Sequence, residues 1–102
     1  MLTYNIEKHE ERALIAFEGR IDNEGTSVFQ ESLEKLFDLD ASKVVFNFSN
    51  LIFINSSGIG KLLLFYKKYK NKGGDIVISG INDDVYTLFK AIRLDKLIVI
   101  ER

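Results

Sequence analysis

Two adjacent hydroxyls, Ser56 and Ser57, stand between an apolar run and a glycine-bearing stretch of helical periodicity, Phe53-Ile54-Asn55-Ser56-Ser57-Gly58-Ile59-Gly60-Lys61-Leu62. This spacing places both at or just before a helix N-terminus, where the first backbone N–H groups have no partner within the helix. A hydroxyl there caps the helix for about 1 kcal/mol, and the same N–H groups favour a negative group placed on it later. One cap accounts for one hydroxyl. The other is left over, next to two glycines that let the backbone of another molecule approach closely.

Other chemistry is poorly supported. Gly60-Lys61 hints at a phosphate-binding loop, but Asn55 stands where the first glycine belongs and Leu62 where the Ser/Thr belongs. The chain has 1 histidine, His9, which falls in a polar turn without metal-ligand spacing around it. Cysteine is absent, which removes disulfides, thiolate zinc sites and thiol nucleophiles. Lys61, Lys67, Lys68, Lys70 and Lys72 cluster on one helix, but no aromatics interleave with them on the exposed face, so a solvated face is the better reading than a nucleic-acid site. The residues call for no catalytic group, cofactor or metal.

The elements that position the serine pair follow from the apolar pattern. Thr3 to Lys8 and Arg12 to Glu18 read as a β-hairpin around His9-Glu10-Glu11. Gly19-Arg20-Ile21-Asp22 leaves the second strand, and Asp22 or Asn23 is placed to cap a first helix with Phe29, Leu33, Leu36 and Phe37 on its inner face, ending near Asp38. Lys43 to Phe48 has the character of a central strand with both faces covered, followed by a short linker. The second helix begins at about Ser57 or Gly58. At about 100° per residue, Ile59, Leu62, Leu63, Tyr66, Tyr69 and the stem of Lys70 share its inner face, while Leu64 projects outward beside Gly60, Lys67 and Lys68. Gly73-Gly74 stops it, and Asp75 to Ser79 is the next buried strand. Asn82-Asp83-Asp84 starts a third helix whose buried stripe is Ile81, Val85, Leu88, Phe89 and Ile92, and Leu97 to Ile100 is a last short strand. Strand and helix alternate from the second strand onward, which predicts an α/β fold with a mainly parallel sheet and one antiparallel strand at its start.

With 102 residues, 46% of them hydrophobic and 28% charged, the chain has the size and composition of a single soluble domain. Its 14 basic and 15 acidic residues give a net charge of −1, so no overall field draws it to nucleic acid or an anionic membrane. No apolar run approaches the roughly 20 residues that span a bilayer, and no secretion signal is legible; the expectation is a cytoplasmic protein with no membrane insertion.

Val45 to Leu62 resembles the signature of the anti-sigma factor antagonist family, whose domain type is called STAS: an apolar strand, a short polar–apolar segment, then aromatic-apolar-Asp-Ser-Ser/Thr-Gly-apolar-Gly-x-Leu. Gly19-Arg20-Ile21-Asp22 is similar to the family's Gly-x-apolar-Asp, and Gly73-Gly74 followed by Asp75-Ile76-Val77-Ile78-Ser79-Gly80 to its next strand. Two acids of the pattern are amides here, Asn47 and Asn55. The resemblance implies one STAS domain over residues 1–102 with about three helices. Family members usually continue into a C-terminal helix, whereas this sequence stops after its last strand, so the expectation is that this helix is absent and that the sheet face it would cover is exposed or covered by a partner.

In that family the first serine of the pair is phosphorylated by an anti-sigma factor that is also a serine kinase, and a PP2C-type phosphatase reverses this. The unphosphorylated form binds the anti-sigma factor and frees the sigma factor. Carried over by position, Ser56 is the acceptor, Ser57 the neighbouring helix cap and Asp22 the nearby acid. Asn55, Gly58, Gly60, Lys61 and Leu64 complete the expected partner surface. The expectation is therefore a non-enzymatic switch. Its rivals are a never-phosphorylated STAS adaptor in a transporter-associated or scaffold complex, and, with the broken phosphate loop against it, a small nucleotide-binding enzyme.

Overall fold

A computed structural model describes all residues, 1–102. The order is β1 (Leu2–His9), β2 (Arg12–Ile21), α1 (Gly25–Asp38), β3 (Lys43–Ile54), α2 (Ser56–Asn71), β4 (Asp75–Ile81), α3 (Asp83–Ala91), a 3-10 turn (Leu94–Lys96) and β5 (Val99–Glu101). The five strands form one sheet in the order β1-β2-β3-β4-β5. The β1–β2 hairpin is antiparallel and every later pairing is parallel. This is the α/β arrangement expected from the alternation of apolar periods.

All three helices pack on one face of the sheet. Phe17, Phe46 and Phe48 line that face, each against another helix: Phe17 meets Phe29 of α1 at 5.3 Å between ring centroids, Phe46 meets Phe65 of α2 at 5.9 Å, and Phe48 meets Phe89 of α3 at 6.2 Å. The reading of β3 as covered on both faces is corrected here. Its other face carries Val45, Asn47 and Ser49, and no helix lies over it. Val45 is shielded by its in-register neighbours Leu14 and Val77 instead, while Asn47 and Ser49 are exposed.

Strand β3 also runs six residues past the expected end. The stretch read as a linker, Ser49 to Ile54, pairs with β2 as Gly19↔Leu51, Arg20↔Phe53 and Ile21↔Ile54, with register shifts between Ala16/Glu18 and Gly19/Arg20. Bulges of this kind interrupt the apolar alternation, so Ser49-Asn50 reads as a loop although the backbone stays extended. The β3–β4 pairing ends at Phe48↔Ile81, so the last part of β3 is joined to β2 alone. In that overhang Leu51 and Ile54 are buried while Ile52 and Phe53 are 56% and 39% exposed.

The third helix departs from its expected stripe. Val85 and Phe89 are buried, but Leu88 and Ile92 are exposed and Ile81 is the end of β4. The helix is only 9 residues long, and Arg93 at φ 65° turns the chain away before any element can cover its outer face. In α2 the buried positions are Gly58, Leu62, Phe65 and Tyr69, with Ile59, Leu63 and Tyr66 partly covered; Phe65 lies outside the expected stripe, and Lys70 is exposed. Leu64 is 54% exposed, as its position on the helical wheel predicts.

Candidate functional site

The start of α2 is built by the ends of β2 and β3. The two strands deliver Ile21 and Ile54 side by side, and the Asn55 N–H donates to the Ile21 carbonyl at 2.9 Å. Asn55 has the extended backbone of a cap residue, φ −89° and ψ 176°, and its Oδ1 accepts from the Gly58 N–H at 2.8 Å. Asn55 is therefore the cap, and the assignment of that role to Ser57 is corrected. The physical reason is position: Ser56 and Ser57 already lie inside the helix, and the side chain that reaches back to a free N–H belongs to the last non-helical residue.

With the cap supplied by Asn55, both hydroxyls are released. Ser56 and Ser57 are exposed, make no side-chain hydrogen bond within the chain, and begin a helix with no acidic residue in its first turn. The positive end of the α2 dipole thus faces solvent without a carboxylate of its own helix to neutralise it.

Asp22 lies on the adjoining loop, where its Oδ1 accepts at 2.9 Å from the N–H of Gly25, the first residue of α1; Glu24, which directly precedes the helix, makes no side-chain cap. That hydrogen bond to the charged form holds the carboxyl below its usual range. Asn23 Oδ1 receives a long hydrogen bond, 3.5 Å, from Asn55 Nδ2. The loop that starts α1 and the cap of α2 are joined through these two amides, a contact the sequence offered no signal for because the residues are 32 positions apart.

The two glycines after the serines are not equivalent. Gly58 is buried, and a Cβ there would lie 2.6 Å from Ile21 Cγ2 and 2.9 Å from Ile54 Cγ1, so glycine is what lets α2 begin tight against the strand ends. Its expected place among partner contacts is corrected, since it presents no surface. Gly60 is exposed and a Cβ there would meet nothing within 4 Å. Lys61 is half-buried, with Nζ donating to Gln30 Oε1 of α1 at 3.3 Å, and Leu64 stands free one turn further on.

The β2–β3 overhang also carries an apolar surface that no pattern in the sequence announces, because Ile52 and Phe53 have the composition of a buried strand. Ile52 and Phe53 are exposed there, and the Arg20 guanidinium lies 4.9 Å from the Phe53 ring centroid and 4.0 Å from Asp22. Ile52 is the residue passed over by the register shift between Gly19↔Leu51 and Arg20↔Phe53, so the in-out alternation breaks there and two consecutive apolar side chains are left exposed. Elsewhere no group of three or more His, Cys, Asp or Glu converges as a metal site, and no helix is long and apolar enough to cross a membrane.

The STAS domain profile matches residues 3–102. An anti-sigma F factor antagonist of Paenibacillus polymyxa is 25% identical over 100 residues, covering 97% of this chain and 86% of that protein. Among solved structures, an anti-sigma factor antagonist from Mycobacterium paratuberculosis superposes with a TM-score of 0.88 at 18% identity, over 99% of this chain and 86% of the other. The anti-sigma factor antagonist SpoIIAA in its unphosphorylated form gives 0.80 at 18% identity, over 98% and 89%. The Bacillus cell fate determinant SpoIIAA in the phosphorylated form gives 0.73 at 18% identity, over 98% and 92%.

Proposed function

The chain belongs to the STAS domain family, and from that membership we propose that it is an anti-sigma factor antagonist switched by phosphorylation of Ser56. Unphosphorylated, it binds an anti-sigma factor that is a serine kinase, and the sigma factor goes free. Phosphorylated, it is released, and a PP2C-type serine phosphatase resets it. The protein itself performs no catalysis in this cycle, which would run in the cytoplasm.

The observation that carries this reading is the free Ser56 hydroxyl at the first position of α2, exposed and unused by the cap. A phosphate adds about −1.5 to −2 charges at pH 7, and a helix N-terminus holds a negative charge at a gain of roughly 0.3–1 kcal/mol. The fold therefore has no reason to change. What changes is the interface, because a partner closing over the start of α2 must desolvate a dianion at a cost of several kcal/mol. About 2.7 kcal/mol is already a hundredfold in affinity. Relatives of the same fold bear the names of anti-sigma factor antagonists, and one of them has been solved in both phosphorylation states, which supports the assignment.

Asn55 bears on recognition by the kinase. It fills the cap with an amide where the family signature has a carboxylate, so a kinase docking here meets the correct shape without that charge. The test is incubation of the chain with the serine-kinase anti-sigma factor of its own host and ATP, followed by mass analysis and by binding of variants. One added phosphate, located on Ser56, is expected; Ser56→Ala binds the kinase as the wild type does and Ser56→Asp binds at least about tenfold more weakly. Equal affinities for the two variants would refute the switch. Absence of phosphate under every growth condition would favour a constitutive adaptor of the same fold.

A further inference from the structure

Strand β1 is the long free edge of the sheet. It pairs with β2 alone, over all 8 of its residues and without a register shift, whereas β5 at the opposite edge has 3 residues. The ladder also fixes which main-chain groups are spare. The Arg20 N–H donates to the Met1 carbonyl, so Met1 and Arg20 are a hydrogen-bonded pair of the antiparallel ladder. Alternation from that pair turns the main-chain groups of Thr3, Asn5 and Glu7 toward β2. Those of Leu2, Tyr4, Ile6 and Lys8 point out of the sheet.

A sheet edge is ordinarily blunted by a proline, a bulge, a covering strand or charges spread along it. This chain has no proline, the β1–β2 register is unbroken, and no strand lies beyond β1. The charges of β1 are confined to its last part, at Glu7 and Lys8, while Tyr4 and Ile6 before them are apolar and only half-buried under α1.

We propose that a second copy of this chain completes the edge, with β1 pairing antiparallel to the other copy's β1 about a two-fold axis at Asn5, so that one sheet runs through both copies. Only the even-numbered residues carry free groups, so an even residue must face an even one. Centred on Asn5, Leu2 faces Lys8 and Tyr4 faces Ile6, and every outward residue of both copies finds a partner. Centring on Tyr4 leaves Lys8 unpaired, centring on Ile6 leaves Leu2 opposite the turn, and centring on Glu7 sets two carboxylates face to face. The span from Leu2 to Lys8 is roughly 20 Å at 3.4 Å per residue. Its main-chain hydrogen bonds supply the affinity, and the Tyr4–Ile6 pairs put an aromatic ring against a β-branched side chain on the helix-covered face.

The charges agree with this register. Glu7 meets Thr3 and Lys8 meets Leu2, so no like charges oppose each other. Above the strands, Tyr4 Oη donates to Glu31 Oε2 at 2.6 Å and Lys35 Nζ lies 5.6 Å from the Tyr4 ring centroid, which marks this side of α1 as the one overlooking the edge. Antiparallel strands bring the two α1 helices side by side and antiparallel, with the Glu31 of each copy toward the Lys35 of the other. Ser56 follows β3, two strands away from this edge, so the association is independent of the function proposed above.

Sedimentation velocity on the whole chain, from about 10 µM to about 1 mM, is expected to show a monomer passing into a dimer. Asn5 is exposed and sits on the proposed axis, so Asn5→Lys and Asn5→Glu each set like charges opposite one another and should weaken the dimer at least about tenfold. An equimolar mixture of the two variants sets Lys against Glu and should restore it. The chain has no cysteine, so Asn5→Cys carries a single thiol. Residues facing each other between the hydrogen-bonded pairs approach to about 4.5 Å between Cα atoms, within disulfide reach. Air oxidation should therefore link Asn5→Cys into a covalent dimer and leave Thr3→Cys, which faces Glu7, monomeric. Thermal unfolding of each variant checks that the exposed substitutions leave the fold intact. A wild type that stays monomeric throughout overturns the proposal. So does a dimer that both charge variants leave unchanged, or cross-linking that is equal at positions 3 and 5.

Discussion

Gly58 and Gly60 sit two residues apart in one helix, and replacing each by alanine separates what packing requires from what propensity favours. Both substitutions gain the same intrinsic term, because alanine is favoured over glycine in a helix interior by about 0.8–1 kcal/mol. At Gly60 nothing opposes it, since a Cβ there meets nothing within 4 Å. Gly60→Ala should therefore stabilise the fold by roughly 0.5–1 kcal/mol. At Gly58 the new methyl would lie 2.6 Å from Ile21 Cγ2 and 2.9 Å from Ile54 Cγ1. Those side chains are 0% and 2% exposed, so neither has room to move aside. Overpacking of this kind costs about 1–3 kcal/mol, which becomes the expected gap between the two variants. In a domain of about 100 residues, 1 kcal/mol shifts the melting temperature by roughly 4–8 °C, so Gly58→Ala should melt at least about 4 °C below Gly60→Ala. Calorimetry or circular dichroism on the two proteins at one pH and concentration measures this directly. Equal melting temperatures, with both raised, would show that the start of α2 is loosely seated on the strand ends. The rigid presentation of Ser56 would then lose its basis.

Asn55→Ala removes the cap and leaves the Gly58 N–H without its acceptor, for an expected loss of about 1–2 kcal/mol in urea denaturation, whereas Asn55→Asp keeps the acceptor and stays within about 0.5 kcal/mol of the wild type. An equal loss in both would argue that the carbonyl oxygen of Asn55 is not the cap. For Asp22 the folded-state pKa is depressed by the Gly25 N–H, so its contribution is fully present above the unfolded carboxyl value, near 3.9, and is lost as pH falls through the folded value. Wild-type stability measured relative to Asp22→Asn should accordingly be constant from pH 7 to about pH 5 and shrink below about pH 4; a difference that grows on acidification would refute the assignment.

Much of the molecule was legible in its residues for identifiable reasons. Helix and strand periods separate cleanly where one face of an element is apolar, which is why Phe29, Leu33 and Leu36 on α1 and Ile76 and Ile78 on β4 lie in the core. The glycine and hydroxyl grouping at Asn55 to Gly60 marks a helix start by local chemistry alone, and Ser56 and Leu64 are exposed where the periodicity puts them. Tertiary structure decided the rest. Which of Asn55, Ser56 and Ser57 caps α2 depends on where β3 ends, and β3 runs on to Ile54 because β2 stays beside it through two register shifts. Leu88 and Ile92 have the spacing of a buried stripe but are exposed because the chain turns away at Arg93 and brings no element over them. Gly58 and Gly60 are identical as letters; only the isoleucines that two separate strands place under the first distinguish them. A sequence pattern records which side chains prefer to leave water, whereas burial also requires another part of the chain to arrive, and that is settled by contacts distant along the chain.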